Sequence, residues 1–461
     1  MRDAHTGHAA ELNTRLPRHL SCRPASEVDR SWQIRRLLVI LVAIGICVTS
    51  PLLVASTISV IAIAFFAAVF AFRLFCVLIG FILRFWKPRR EPSSNGADTM
   101  PIYSILIPLY REAAMVGDVV DAVSKLNWPS DRLDVQLLIE SDDRETQHAA
   151  NQISKDLPVR VTLVTGAGPR TKPNALNIGL AHARGSLICV YDAEDRPHPQ
   201  QLRVAYDCFE RGPQMLAALQ APLIGGSLEG GWISDQWCLD YSVHFGLLLP
   251  AYARLGVPIA LGGSSNHFRT DILRSAGGWD AWNVTEDADL GLRLARLGLI
   301  VDTIWPPTFE DAPRTYPVWL AQRVRWLKGF LITWMVLMRP PRRLVSEMGV
   351  WRYLTTWITF GAAAFSPFIY APATLLVTVA LLTERYELGQ AGLAVLAAGL
   401  ATSLIADFLA PGRWSGRRVF AAFSRWLYWP LISVAAIGAL IGMVRRPNYW
   451  AKTPHHPKSE T

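Results

Sequence analysis

Long apolar stretches occupy both ends of this 461-residue chain and leave a more polar stretch between them. An α-helix needs about twenty consecutive apolar residues to cross the hydrocarbon of a bilayer. Near the N-terminus Leu37–Ala55 and Ile58–Leu83 have that length, and near the C-terminus Tyr353–Leu382, Ala391–Leu409 and Val419–Val444 have it too. The chain is therefore predicted to be an integral membrane protein whose middle portion folds outside the bilayer.

Basic residues border these apolar stretches, for example Arg35-Arg36, Arg89-Arg90, Arg342-Arg343 and Arg445-Arg446. Arginine and lysine are enriched on the cytosolic side of membrane helices, so these pairs predict cytosolic ends. The net charge is +9, but no basic patch with interleaved aromatic residues lies away from the membrane flanks, which argues against nucleic-acid binding.

The same charge pattern sets the expected number of crossings. An N-terminal hairpin of two spans has both ends in the cytosol, but three C-terminal spans would place Arg445-Arg446 on the far side. We therefore expect about four C-terminal membrane segments, one long stretch being interrupted at Pro367, Pro372 or Pro430. Arg73 falls inside the second span, and an ionisable residue there is a candidate functional residue. The alternative is a side chain that snorkels to the membrane surface, or a span boundary misplaced by a few residues.

The expected organisation is a polar, disordered tail (1–34), a transmembrane hairpin (35–90), a cytosolic domain ending in an interfacial helix (100–338), a C-terminal membrane region (350–446) and a cytosolic tail (447–461). No cleavable secretion signal is apparent in the tail. The six cysteines show no C-x-x-C spacing, so neither a zinc site nor a disulfide framework is indicated, and they suit a reducing compartment.

Short apolar segments alternate with helical patterns in the middle of the chain and predict an α/β domain. Strands are expected at Tyr103–Pro108, Asp134–Ile139, Val159–Val164 and Leu187–Tyr191, with a helix at Val116–Leu126. Alternation of this kind indicates a parallel sheet, in which ligands bind at the carboxyl ends of the strands.

Acidic residues follow two of these strands. Asp192 and Glu194 are one residue apart, with Asp195 next, and two carboxylates at that spacing suit Mg²⁺ or Mn²⁺ held partly by substrate phosphates. Glu140 and Asp142 follow the second strand. A solvated acidic loop remains the alternative for each cluster.

Two further motifs lie later in the domain. Thr285-Glu286-Asp287 precedes a helical pattern, where the helix dipole favours a carboxylate, although simple capping is the alternative. Gln322-Arg323-Val324-Arg325-Trp326 has a Q-x-x-R-W spacing that places Gln322, Arg325 and Trp326 on one helix face. Arg325 offers a planar fork to a diphosphate there, and Trp326 offers a flat apolar ring to a sugar.

In their order and spacing these motifs, from Ile107 to Trp326, resemble those of membrane-bound processive family 2 glycosyltransferases, the family of cellulose, chitin and hyaluronan synthases. The resemblance implies a GT-A nucleotide-sugar-binding domain inserted between transmembrane helices. It implies Asp287 as general base, with Glu286, Gln322, Arg325 and Trp326 also catalytic. Substrate contacts are implied for Glu140, Asp142, Lys172, Asn174, Asp192, Gly263 and Ser264, and metal binding for Asp192 with Glu194 or Asp195.

The resemblance further implies an inverting enzyme that uses a nucleotide-diphosphate sugar, a UDP-hexose by family frequency, and Mg²⁺ or Mn²⁺. Its partners would be the donor, membrane lipids and a growing β-linked polysaccharide that is exported through its own helices. Its location would be a bacterial inner membrane, with the catalytic domain in the cytosol. The main alternative is a single transfer to a lipid acceptor, as in the ceramide glucosyltransferases. A protein that only binds nucleotide sugar is a third. Tyr449-Trp450-Ala451-Lys452-Thr453 loosely resembles the gating segments of some synthases.

Overall fold

The computed structural model describes residues 25, 51–86, 100–152, 159–165, 168–226, 230–383 and 386–445. The expected polar linker at 91–99, most of the tail 1–34 and the segment 447–461, with its Tyr449–Thr453 motif, lie outside this set. So does the expected first span, except for residues 51–55, which begin helix α1 (Pro51–Trp86).

The middle of the chain contains ten strands. They are β1 (Tyr103–Leu109), β2 (Leu133–Glu140), β3 (Val159–Val164), β4 (Leu187–Val190), β5 (Arg196–Pro197), β6 (Leu216–Gln220), β7 (Leu223–Gly226), β8 (Asn266–Arg269), β9 (Ile300–Thr303) and β10 (Thr308–Asp311). Seven form a sheet of order β3-β2-β1-β4-β8-β6-β9, and three form a small sheet of order β5-β10-β7. The four strands expected from the sequence are confirmed, with ends within one residue.

The large sheet is parallel over β3, β2, β1 and β4, as expected for an α/β domain, while β8 runs antiparallel to both β4 and β6. Its helices are α2 (Val116–Ser124), α3 (Arg144–Asn151), α4 (Lys172–His182), α5 (Gln201–Arg211), α6 (Trp232–Val243), α7 (Leu249–Leu255), α8 (Thr270–Ser275) and α9 (Glu286–Arg296). Buried clusters cover both faces of the sheet, around Ile105 and Ile107 on one face and Leu106 and Ile188 on the other. The alternation follows from the two-residue period of a strand.

The C-terminal part is helical. It comprises α10 (Tyr316–Leu337), α11 (Pro341–Thr356), α12 (Ala362–Leu382), α13 (Tyr386–Leu409), α14 (Gly416–Phe423) and α15 (Arg425–Arg445). Four described helices are long and apolar enough to cross a bilayer: Val60–Phe85, Pro341–Val379, Gly389–Leu409 and Arg425–Arg445. Three of these are C-terminal, so among the described residues the expectation of about four C-terminal segments is wrong.

That expectation failed because the prolines do not interrupt the helices. Helix α12 continues through Pro367 and Pro372, and α15 continues through Pro430. Membrane helices tolerate proline where neighbouring groups and local changes of helical pitch satisfy the freed carbonyls, and a five-residue π-helical segment, Trp357–Gly361, directly precedes α12. The departure from helical backbone lies instead at Gly349, whose φ is 76°.

The helical segment between β7 and β8 connects the domain to the N-terminal helix α1. Helices α6 and α7 are connected by the π-helical segment His244–Leu248, which packs against α1. The backbones approach so closely that a Cβ atom at Gly80 would lie 2.1 Å from the carbonyl oxygen of Leu247. Glycine is therefore required at this crossing.

Candidate active site

A cavity of about 930 Å³ opens at the carboxyl ends of β1, β2 and β4 and extends to the membrane helices. It brings together side chains from distant parts of the chain. Of the site residues expected from the sequence, those that line it are Glu140, Lys172, Asp192, Glu194, Gly263, Ser264, Glu286, Asp287, Gln322, Arg325 and Trp326.

Two of the expected residues lie away from its wall. Asp142 lines a smaller depression with Tyr110 and Asp143 and forms an exposed ion pair with Arg170 at 2.8 Å. Asn174 is buried in the first turn of α4, where its backbone N–H donates to the Thr171 hydroxyl that caps the helix. The substrate contacts expected of these two residues stay predictions.

The turn after β4 separates its three carboxylates. Asp195 is 1% exposed and its Oδ2 accepts the backbone N–H of Asp192 at 2.8 Å, so it closes the turn. Burial and the nearby Asp192 raise the pKa of Asp195 to about 7. Glu194 instead reaches the cavity, where burial, followed by the charges of Asp192 and Asp195, holds its pKa well above the usual range. A turn of this kind presents Asp192 and Glu194 to a ligand and keeps Asp195 behind them.

Lys172, the first residue of α4, crosses the cavity floor. Its ammonium group donates to Asp192 Oδ1 at 2.5 Å and to the carbonyl oxygen of Gly263 at 2.7 Å. Burial by itself lowers the pKa of Lys172, but the charges of Asp192, Glu286 and Asp287 reverse this and raise it. Lys172 is therefore a fixed positive charge among the carboxylates.

Helix α9 begins at Glu286, as its acidic start predicts, and presents Glu286 and Asp287 to the cavity. Asp287 Oδ1 accepts the N–H of Ala288 at 2.8 Å. Burial raises the pKa of Asp287, although Lys172 opposes the shift. Burial and the adjacent Asp287 raise the pKa of Glu286 to about 8. At Gly263 a Cβ atom would lie 3.4 Å from Asp287 Oδ2, so the missing side chain leaves open space beside this carboxylate.

The Q-x-x-R-W motif lies on α10 as one continuous helical face along the cavity. Gln322 Oε1 accepts the indole N–H of Trp237 at 2.9 Å. Arg323 lies over the ring of Trp326 at 4.8 Å and forms an ion pair with Asp240 at 2.9 Å. Helix α10 runs on to Leu337, so the expected interfacial helix is the second half of this same helix.

Three cavity residues were not identified from the sequence, namely Glu310, Tyr241 and His244. Glu310 comes from β10, which pairs with β7 in the small sheet. Burial and the charge of Asp195 hold its pKa well above the usual range. No local pattern marks these residues, because long-range pairing brings them to the cavity. Arg73, the candidate from the second apolar span, lines the opposite, membrane end.

A metal ion held by protein alone is not supported, since among the described residues no three metal-binding side chains converge on one point. The donor chemistry nevertheless fits a divalent cation shared with phosphates. Asp192 and Glu194 both face the cavity, and mutual repulsion of carboxylates contributes to the raised pKa of Glu194.

Comparison with known proteins bears on this arrangement. Residues 187–441 match the family model described as glycosyl transferase family group 2, and residues 104–264 match that of glycosyl transferase family 2. Similar proteins include the probable glycosyltransferase YdaM of Bacillus subtilis, 27% identical over 50% of this chain and 55% of its own. Others are a beta-monoglucosyldiacylglycerol synthase of Trichormus variabilis, 24% identical over 53% and 52%, and the probable glucomannan 4-beta-mannosyltransferase 15 of Arabidopsis thaliana, 24% over 53% and 47%.

The chain thus spans about half the length of the curated relatives that it matches. Among solved structures it is similar to the mannosyltransferase PcManGT of Pyrobaculum calidifontis in complex with GDP-Man and Mn²⁺. The TM-score is 0.51 at 18% identity, over 83% of this chain and 99% of that one. This likeness shows a shared fold, and the expected GT-A-like α/β architecture is confirmed.

Proposed function

The chain belongs to glycosyl transferase family group 2, and from this premise we propose that it transfers a hexose, with inversion, from a nucleoside-diphosphate sugar to a lipid acceptor that enters from the membrane. One observation carries the proposal: the motif residues and residues of the membrane helices line the same cavity. A donor from the aqueous side and an acceptor from the membrane can therefore meet in this cavity.

Asp287 is the general base of this proposal. It lies beside the open space at Gly263, and its raised pKa makes it a better proton acceptor than an exposed carboxylate. The acceptor hydroxyl loses its proton to Asp287 as its oxygen attacks the anomeric carbon, and the bond from that carbon to the diphosphate breaks. One displacement inverts the anomeric configuration and gives a β-linked product from an α-linked donor.

The diphosphate lies near Asp192, Glu194 and Lys172 in this proposal. Asp192 and Glu194 would hold Mg²⁺ or Mn²⁺, which supplies positive charge to the leaving diphosphate when bound. Lys172 adds a second fixed positive charge beside Asp192. The mannosyltransferase with the similar fold holds the same combination, a nucleoside-diphosphate sugar and Mn²⁺.

Residues of α10 complete the donor site. Arg325 lines the cavity on the same helix face as Gln322 and Trp326, and it is assigned to the departing diphosphate because its guanidinium can bond two oxygens at once. Gln322 is held by Trp237, and Trp326 offers its ring to a sugar. Glu140, at the end of β2, is assigned to the nucleoside base.

The walls of the membrane end support a lipid as the acceptor class. Phe360, Ala363, Pro367 and Ile432 line it, and such walls suit acyl chains better than the hydroxyl groups of a glycan. The name of the relatives that make a glucosyldiacylglycerol agrees with this choice. A processive synthase that exports a β-linked polysaccharide is the second candidate, favoured by the glucomannan mannosyltransferases among the relatives.

The proposal places residues 100–338 on the cytosolic side of a bacterial inner membrane. Arg89-Arg90 and Arg342-Arg343, which flank these residues, support this orientation. The described residues 51–86, 350–383 and 386–445 form the membrane region that encloses the acceptor in this proposal.

Product size decides between the two candidates. The full chain, purified in detergent, is given radiolabelled UDP-glucose, UDP-galactose, UDP-N-acetylglucosamine or GDP-mannose with Mn²⁺, with and without diacylglycerol or phosphatidylglycerol. We expect a single labelled sugar on lipid from one donor. Long glycan made without added lipid would establish the synthase instead, and absence of any transfer would overturn both.

A further inference from the structure

Arg73 lies near the middle of an apolar helix and yet lines the cavity. The membrane-spanning part of α1 runs from Val60 to Phe85, and Arg73 is midway along it. A charged side chain at that depth is costly to place in a membrane. An arginine kept at such a position usually serves a ligand or a path, and here the cavity provides the place for one.

The packing of α1 fixes where Arg73 points. Cys76, Val77 and Gly80 follow it at helical spacing, and Cys76 and Val77 are buried against the segment that contains His244–Leu248. Leu78 and Ile82, on another face, are 44% and 46% exposed and so suited to lipid. Arg73 therefore belongs to the face turned toward the domain, not toward the bilayer.

The surroundings leave the charge of Arg73 uncompensated. Among the described residues no carboxylate forms an ion pair with it, and its buried Nε has no hydrogen-bond partner there. Asp240 lines the same cavity, but it is already bonded to Arg425 at 2.6 Å and to Arg323 at 2.9 Å. His244 is neutral at physiological pH, because burial and the charge of Arg73 lower its pKa to about 4. Counting the described residues, the membrane end of the cavity thus carries a net positive charge.

Apolar side chains also line this cavity. Leu248, Phe360, Pro367 and Ile432 line the same cavity as Arg73. A free anion would gain nothing from such walls, whereas an anionic group attached to acyl chains would bury those chains against them. A phospholipid with a hydroxyl in its head group supplies a phosphate for Arg73, acyl chains for these walls and a hydroxyl for transfer.

We infer that the membrane end of the cavity binds an acceptor lipid whose head group carries a phosphate, with Arg73 as the counter-ion. This inference rests on the proposed function, since the hydroxyl of that lipid is the group that would reach Asp287. It makes the enzyme selective for anionic acceptors over uncharged ones.

Lipid retention tests the inference without requiring transfer. The full chain in detergent is incubated with phosphatidylglycerol, with diacylglycerol or with glycerol 3-phosphate, and the bound fraction is measured by native mass spectrometry. The variants are Arg73→Gln, Arg73→Lys and Arg84→Gln. Arg84 is the matched control, because it lies on the same helix, is exposed, and donates to the carbonyl of Leu409 outside the cavity.

Arg73→Gln is expected to weaken phosphatidylglycerol retention at least about tenfold, equivalent to about 1.4 kcal/mol, with diacylglycerol retention unchanged. Arg73→Lys and Arg84→Gln keep the preference. Unchanged phosphatidylglycerol binding in Arg73→Gln would overturn the inference, and so would equal losses of both lipids. Should Arg73→Gln fail to fold, loss of the preference in Arg73→Lys would overturn it, and its retention would support it.

Glycerol 3-phosphate separates the two sources of phosphate. Retention of this soluble compound as strong as that of phosphatidylglycerol would overturn the assignment to a lipid. The inference and the proposed function also fail separately. If the protein transfers sugar to diacylglycerol but retains phosphatidylglycerol equally well without Arg73, the inference alone is overturned. If retention of phosphatidylglycerol depends on Arg73 but no sugar is transferred, the proposed function alone is overturned.

Discussion

The carboxylate of Asp240 and the guanidinium of Arg425 form a 2.6 Å ion pair between the α/β domain and the last membrane helix. Arg425 also bonds Asp407 at the end of α13, at 2.7 Å, and Asp240 also bonds Arg323 on α10. Because Arg323 adjoins Gln322, this buried network fixes the helix that carries the Q-x-x-R-W motif to two membrane helices.

Replacement of Arg425 by methionine should destabilise the protein strongly. The change leaves Asp240 and Asp407 without their shared cation, and breaking a buried pair in this way costs about 3–5 kcal/mol. Thermal unfolding in detergent measures it. Arg417→Met is the control, since Arg417 pairs with Asp235 at the exposed surface, and its midpoint should stay near that of the native protein. Equal shifts in the two variants would contradict the role of the network.

Asp287→Asn should reduce transfer by a factor of about 10²–10⁴, the range for loss of a general base. Nucleotide binding, measured by titration calorimetry with UDP and GDP, should stay nearly unchanged because the shape is kept. Asp271→Asn serves as control, as Asp271 is an exposed acidic residue in the first turn of α8. Retention of most activity in Asp287→Asn would show that another group is the base.

Asp192→Asn should weaken metal-dependent donor binding. Loss of a residue that only orients a metal ligand typically lowers metal affinity about 10–100-fold. Loss of a carboxylate that binds the metal directly should lower it at least as much. The measurement is the Mn²⁺ concentration that gives half-maximal transfer. Asp311→Asn, which alters an exposed carboxylate paired with Arg196, should leave that concentration unchanged. An unchanged requirement in Asp192→Asn would remove Asp192 from the proposed metal site.

The pH profile should respond to Lys172. A general base works only when deprotonated, so kcat/KM rises with pH through the pKa of Asp287, which burial raises. The positive charge of Lys172 lowers the pKa of Asp287. Lys172→Gln should therefore raise that pKa and move the rising limb of the kcat/KM profile to higher pH. Lys125→Gln is the control, since Lys125 pairs with Asp121 on the exposed face of α2, and its limb should not move. A limb displaced to lower pH would contradict the electrostatic role of Lys172.

Local pattern was sufficient to predict the parallel half of the sheet. β1 and β2 are seven and eight residues long, rich in apolar residues and almost entirely buried, and the residues that follow them mark their ends. β8 and β9 have four residues each and lack such a signature, so neither the antiparallel strand β8 nor the edge strand β9 was predicted. Short strands of that kind are stabilised by their neighbours more than by their own residues.

Some residues of the candidate site could likewise be predicted from local sequence, and others could not. Asp192, Asp287 and Arg325 lie in motifs whose spacing is visible in one stretch of sequence. Glu310 reaches the cavity only because β10 pairs with β7. The helix count failed for a related reason: whether Pro367 breaks a helix depends on neighbouring helices, which a hydropathy pattern does not contain.

The close crossing of Gly80 and Leu247 has a consequence for biosynthesis. Helix α1 leaves the ribosome long before the segment that packs on the face carrying Arg73, Cys76 and Val77, so for that interval Arg73 has no protein neighbour from the domain. The apolar remainder of Val60–Phe85 must insert the helix against the cost of that one charge. The later arrival of residues 244–248 then converts a charge exposed to lipid into a wall of the cavity.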